Sequence, residues 1–406
     1  MQVIVLLLLI NSLQSAEIYY QGFNFVLAES NRTILYEKLT ADVDGLREAN
    51  FTGVWLPPPS KSDDLAGYIP SEWFMIKQRA HLEKLTRALS DNGLKVIFDI
   101  VLNHRIGLHI DNCTGRYTAF TNPDWDNSRV VRSDWLCSNE EVEVPDDCNP
   151  GHFDSGYNAC FAPDIDHENE DTREDIVNWL LWLKDAFHAD GWRFEMARGY
   201  HAKFIKEYIN KTEPCFSVGE YIDSRLSGVL TWLAQIDYKI HAFDFQLRYT
   251  LQTSIRHNSY HGMMYYLNPP GVMGKFSENA ATFVDDHSTA RNSRFGNDEQ
   301  TIMAYAYILT HPGTPFVFYD DWNSEKIREA ILPMIEIRHK FNLGETKTLY
   351  MDAHGDGLYS VYLGENATCI DCGTVAMKLG TNSWHPPVQS NWLLETSGHD
   401  YAIWTK

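Results

Sequence analysis

Short apolar runs alternate along the chain with segments whose apolar residues recur at helical spacing. That is the pattern of a parallel sheet wrapped by helices. The apolar runs predict strands at 18–25, 52–56, 95–102, 191–196, 216–220, 240–245, 281–285 and 315–319. Helical periodicity follows each of them, at 34–49, 81–92, 171–187, 201–210, 225–233, 246–256, 298–309 and 324–340. Eight strand–helix pairs are what a (β/α)8 barrel requires. The third pair is interrupted by about 60 residues, 104–163, rich in Asp, Asn, Gly and Cys. That is too long for an ordinary strand–helix connection and reads as an inserted, loop-rich domain. Beyond residue 343 the helical pattern stops, and LYSVYLG, TVAMKLG and YAIWTK alternate apolar and polar residues as in a small antiparallel sheet. The expected organisation is a barrel over 17–103 and 164–343, an inserted domain over 104–163 and a C-terminal β-domain over 344–406.

Composition narrows the function classes. The net charge of −21 argues against nucleic acid and anionic membrane surfaces, which call for basic patches. The segment MQVIVLLLLINSLQSA is too short to span a bilayer, which takes about 20 apolar residues, and reads as a signal peptide over 1–16. With Asn-x-Ser/Thr sequons at Asn31, Asn50, Asn112, Asn210 and Asn366, it predicts a glycoprotein that is secreted or in the lumen of the secretory or lysosomal pathway. Among the cysteines, Cys113, Cys137, Cys148 and Cys160 fall in the insert, where two disulfides would staple a segment with little core of its own. Cys369 and Cys372 predict a short disulfide across a turn rather than a zinc site, for which no second ligand pair is near. Cys215 is expected to be a buried thiol at the start of an apolar strand.

Four stretches sit where barrel strands end: DIVLNHR (99–105), GWRFEMARGY (191–200), FSVGEY (216–221) and TFVDDHST (282–289). They resemble the four signature regions of the alpha-amylases, glycoside hydrolase family 13. QGFN, VWLPPPS, GYIP, APDIDH, PGVMG, AYILTHPGTP and HDYAIW extend the resemblance along the chain, which looks closest to the plant-type members. The resemblance implies a (β/α)8 TIM barrel with the architecture above. It also implies retaining endohydrolysis of alpha-1,4-glucans such as starch and glycogen by a monomer.

Two departures stand at the positions that matter most. Retaining glycosidases use two carboxyl groups, a nucleophile and an acid/base. The resemblance assigns the acid/base to Glu220, but the nucleophile position, Asp in the family, holds Glu195. The third acid of the family is replaced by Ser288, which supplies no charge to the transition state. Asp286 would share a face with Ser288 on a continued strand, although the strand is expected to end near there. By the same resemblance, His104 and His287 hydrogen-bond the reacting sugar, Tyr68 stacks on it, and Arg193 neighbours Glu195 as a supporting cation. Trp55, Trp192, Tyr221 and Trp322 add aromatic surface near the strand ends. A calcium ion is implied between barrel and insert, held by Asn103, the Gly199 carbonyl and Asp154, a set of oxygens of the kind this cation takes. The loop after Pro70 is shorter than the family's and lacks two of its tyrosines, so one side of the cleft is altered. These features predict strongly impaired hydrolysis; the alternative is a non-hydrolytic glucan-binding or regulatory protein.

Overall fold

The computed structural model describes residues 16–110, 117–132, 151–158, 160–264, 268–344 and 349–406. Eight parallel strands close into a barrel. In chain order they are Tyr19–Gln21, Gly53–Leu56, Lys95–Ile100, Gly191–Phe194, Phe216–Gly219, His241–Phe243, Ala280–Phe283 and Thr314–Phe318. Closure comes from the first strand, in which Tyr19 pairs with Gly53 on one side and Phe316 on the other. Each predicted strand and each of the eight predicted helices is present, shifted at its ends by a few residues at most.

The barrel interior is filled with aromatic rings in place of the usual branched aliphatics. Tyr19 lies 4.2 Å from Phe216 and 5.3 Å from Phe316, and Phe243 lies 5.1 Å from Phe316 and 5.4 Å from Trp55. This plug raises a solid floor, so polar side chains just past the strand ends are held at its upper surface. Helix ends are set by local capping. The Asn169 side chain accepts from Thr172 N–H at the start of Glu170–Phe187, and His188 ends that helix in the left-handed conformation.

The described part of the insert is knitted to the barrel through Arg105. Its guanidinium lies 4.8–5.2 Å from the rings of Trp73, Phe120 and Trp125 and donates to the Ser71, Pro123 and Thr121 carbonyls. Trp73, from the shortened segment after Pro70, stacks on Trp179 of the helix Glu170–Phe187 at 5.1 Å. That segment therefore folds onto the barrel instead of lengthening a cleft wall. Cys160 is disulfide-bonded, while Cys113, Cys137 and Cys148 lie outside the described residues, as do residues 1–15 of the expected signal peptide.

The C-terminal domain is a five-stranded antiparallel sheet: Leu349–Gly355, Leu358–Leu363, Val375–Leu379 and Tyr401–Thr405 in neighbouring order, with Leu393–Gly398 at the far edge. Cys369 and Cys372 are joined. Cys215 is exposed and free, against expectation. It sits just before the N-terminal end of the fifth strand, so the apolar run that follows does not cover it. Among the described residues no helix is long and apolar enough to cross a membrane.

Candidate active site

A cavity of about 380 Å3 opens above the barrel, lined by Phe25, Tyr68, Arg193, Glu195, Glu220, His287, Ser288, Arg291 and Asn292. The strand ladder places the two carboxylates. Glu195 N–H donates to the Ile100 carbonyl and Glu220 N–H to the Phe194 carbonyl, each at 3.0 Å, so both residues stand just beyond adjacent strands. Met196, next in line, adopts a left-handed φ of 40°, sparsely populated for a side chain of this kind. The turn directs its N–H to Glu220 Oε2 at 3.3 Å.

Arg193 organises the floor. Its Nη1 donates to Asp99 Oδ1 at 2.9 Å and its Nη2 meets Glu220 Oε2 at 3.0 Å, with the guanidinium 5.1 Å from the Trp55 ring. Burial disfavours its charge, but Asp99 and Glu220 keep it firmly protonated. The sequence led us to expect this cation beside Glu195. It does act electrostatically on Glu195, but its direct ion pairs are with Asp99, which fixes one end, and Glu220, at which the other end is aimed. Glu195 Oε2 is buried and has no hydrogen-bond partner.

Asp99 is itself crowded with donors. The Tyr68 hydroxyl lies 2.7 Å and the Trp55 indole nitrogen 3.3 Å from its Oδ2. Burial nevertheless pushes its carboxyl up to about 6, against Arg193 and Tyr68. The network continues outward, with Tyr68 hydroxyl to His287 Nε2 and His287 Nδ1 to Gln21 Nε2, both at 2.8 Å. Burial lowers His287 to about 3, so the ring is neutral. With Gln21 donating to Nδ1, Nε2 carries the proton and donates to Tyr68, which donates to Asp99.

The rings of Tyr68, His287 and Phe25 lie nearly parallel, tilted by 3–11° from one another, and form an aromatic wall. Arg291 caps Phe25 at 4.8 Å. His104 is fully buried and does not line the cavity: its Nε2 donates to the Tyr68 carbonyl at 2.6 Å, and Asn103 lies 3.3 Å from its Nδ1. It therefore fixes the backbone of Tyr68.

Ser288 lines the cavity, but its hydroxyl donates to Asp286 Oδ1 at 2.7 Å. The same oxygen accepts the N–H groups of Ser288 and Thr289, so Asp286 caps the short helix Thr289–Ser293. Burial opposes its charge, but the neighbouring His287 and, after it, these hydrogen bonds hold Asp286 below the usual carboxylate range. The seventh strand has ended at Phe283, so Asp286 and Ser288 belong to a turn and not to one strand face.

Trp55, Trp192 and Trp322 offer no stacking surface. All three are buried, Trp55 in the barrel floor, Trp192 hydrogen-bonded to Thr212 and Trp322 edge-on to Phe51. Trp55 and Trp192, on short barrel strands, point into the interior and the helix layer, and Trp322 lies in the short helix Tyr319–Asn323, which corrects the expectation of a tryptophan-lined cleft. Tyr221 is half-buried and stacks on Trp232.

The three predicted cation ligands are linked as neighbours through Gly156 and Gly199. A Cβ at Gly199 would collide with the Asn103 amide oxygen, and one at Gly156 would strike the Gly199 carbonyl. Gly156 N–H in turn donates to Asp154 Oδ1 at 2.9 Å. Asn103 gives its Nδ2 to Asp164 at 2.9 Å, which leaves its Oδ1 buried without a hydrogen-bond partner. Buried oxygens of this kind are normally satisfied, so the cluster fits an oxygen-ligated cation.

Gln21, Phe25, Asp99, Arg291 and Asn292 were not singled out from sequence. Asp99 had a readable signal, a carboxylate within the apolar run of the strand KVIFDI. Arg291 and Asn292 had none beyond lying after a strand end.

A closed (β/α)8 barrel with two carboxyl side chains at the C-terminal ends of adjacent strands, facing a cavity beside an aromatic wall, defines a glycosidase-type site. Comparison with known proteins specifies it further. The family model for "Alpha amylase, catalytic domain" matches residues 37–326, and that for "Alpha-amylase C-terminal beta-sheet domain" matches 360–405. The chain belongs to the alpha-amylase family. It is 32% identical to "Probable alpha-amylase 2" of Arabidopsis thaliana, over 96% of this chain and 94% of that one. It is also 32% identical to "Alpha-amylase 3, chloroplastic" of the same plant, over 96% of this chain and 44% of that one. Among solved structures, the alpha-amylase from H. orenii has the same fold, with a TM-score of 0.66 at 15% identity over 96% of each chain.

Proposed function

We propose that this protein is a secreted alpha-1,4-glucan-binding member of the family whose endohydrolysis of starch and glycogen is strongly impaired. The observation that carries this reading is the pairing of Arg193 with Glu220 and Asp99, while Glu195 stands in the nucleophile's place with a partnerless buried oxygen. The extra methylene of Glu195 displaces its carboxylate by about 1 Å, which costs on the order of 100-fold in rate. Ser288 gives its hydroxyl to Asp286, and the loss of one preorganised charge costs on the order of 100- to 1000-fold more.

The binding side is better equipped. Tyr68, His287 and Phe25 offer ring faces to the apolar face of a pyranose, while Arg291 and Asn292 supply donors for its hydroxyls. None of these contacts needs an ionised nucleophile, so ground-state affinity outlives transition-state stabilisation. A non-hydrolytic, purely binding role is the second reading, and the engagement of Ser288 with Asp286 favours it.

Calcium is the cation that the Asn103, Gly199 and Asp154 oxygens suit, as a structural ion tying insert to barrel. For secretion, the support is the apolar segment at 1–16 and the exposure of the four described sequon asparagines, Asn31, Asn50, Asn210 and Asn366. Titration calorimetry with maltoheptaose tests the binding claim. We expect micromolar to millimolar affinity, about −4 to −8 kcal/mol, weakened by Tyr68→Ala. No heat with either maltoheptaose or glycogen would refute it.

A further inference from the structure

The two carboxylates of the site have unequal surroundings. Glu220 Oε2 accepts from Arg193 Nη2 at 3.0 Å and from Met196 N–H at 3.3 Å, both of which favour the anion. Glu195 lines the same cavity, and its Oε2 is buried and accepts from nothing among the described residues. Retaining hydrolysis needs the opposite arrangement, an ionised group at position 195 and a proton on Glu220. Arg193 cannot swing across to help Glu195 without leaving Asp99, which Tyr68 and Trp55 hold in place.

We propose that the proton carried by this carboxyl pair resides on Glu195 and the negative charge on Glu220, so that Glu195 acts as a neutral hydrogen-bonding group toward a sugar hydroxyl. The nature of the ligand rests on the glucan-binding reading above; the placement of the proton does not. The facing charges agree. Glu195 looks onto the acids Glu220, Asp99 and Asp164 and the phenol of Tyr200, with Arg193 as the cation acting on it. Glu220 looks onto Asp286 and Glu195 but owns the direct contact with Arg193. Burial raises both carboxyls, Glu195 well above its ordinary value. One guanidinium already shared with Asp99 does not neutralise two further buried anions. Hydrolysis by the family's route would first require the proton to leave Glu195 and arrive on Glu220, a rearrangement with no net change in protons. In this reading Arg193 is a positioning residue that selects which acid is charged.

Infrared difference spectroscopy at neutral pH reads the proton directly. Glu195→Gln should remove a protonated-carboxyl band from the wild-type spectrum, and Glu220→Gln should remove an ionised-carboxylate band. The reverse pattern, or no protonated band attributable to either residue, overturns the proposal. Stability supplies a second reading with its own sign. Glu195 ionises near its ordinary value when unfolded but stays protonated when folded, so wild type loses stability as pH rises above about 4.5. The ratio of folding constants, Glu195→Gln over wild type, should therefore grow by up to about tenfold per pH unit above that point. A ratio that falls with pH contradicts the proposal. Neither readout uses a glucan, so a failure to bind maltoheptaose would leave the proton placement standing and refute only the ligand.

Discussion

Ser288 and Gly199 show how single positions decide what this barrel does. Ser288 occupies the third acid's place, yet its hydroxyl is committed to Asp286. A serine in a turn takes a partner two residues away before it reaches a ligand. The expected replacement of two acids rests on the motifs around them, which are intact in the sequence. The direction taken by Arg193 was not, since it depends on Asp99 arriving from another strand. At Gly199 the reason for glycine is contact with the Asn103 amide oxygen. Gly199→Ala should therefore destabilise the fold by about 1–3 kcal/mol, the cost typical of overpacking. Thermal unfolding checks this; an unchanged midpoint would show that Asn103 can move aside.

Among the elements, the joint between barrel and C-terminal sheet rests on His311, at the end of the helix Asp298–Thr310. Its Nδ1 donates to the Tyr307 carbonyl at 2.8 Å, and its Nε2 accepts from the Tyr359 hydroxyl of the sheet at 2.7 Å. Arg338 donates to the Leu309, His311 and Gly313 carbonyls, closing the same helix end. Burial lowers His311 to about 3. A histidine depressed in the folded state contributes stability that is present above about 6.5 and lost as pH falls toward 3. The unfolding free energy of wild type should thus fall faster than that of His311→Gln across this window, by at most about 1.4 kcal/mol per pH unit. Equal slopes would mean that the ring is already charged or exposed. The strands and helices themselves were legible because period and length agree in each. The joint was not, because a histidine after a helix carries no sign of which domain will cover it.

For the whole molecule, the barrel's closure and the antiparallel C-terminal sheet followed from the order of apolar runs, whereas the filling of the barrel did not. Apolar strand residues point either inward or toward the helices, and periodicity in a sheet buried on both faces does not separate the two. That is why Trp55 and Trp192 read as cleft aromatics in the sequence and are core in the structure. The proposed calcium site acts at this scale too, since Asn103 lies at the root of the insert and Gly199 on the barrel. A ligand held only by the native state stabilises by RT ln(1 + [L]/Kd), about 2.7 kcal/mol at one hundred times Kd. Calcium added after excess chelator should raise the melting midpoint, and identical midpoints would count against the site.

We propose that the fold and the glucan cleft persist while hydrolysis has largely been lost. The initial rate of soluble-starch hydrolysis by wild type, beside the Glu195→Asp, Ser288→Asp double variant, tests it most directly. Wild type should be at least about 1000-fold slower than an ordinary amylase, with a gain of at least about 100-fold in the double variant. A wild-type turnover of about 10 per second or more, in the range typical of competent enzymes, would contradict it and show that Glu195 reaches the anomeric carbon.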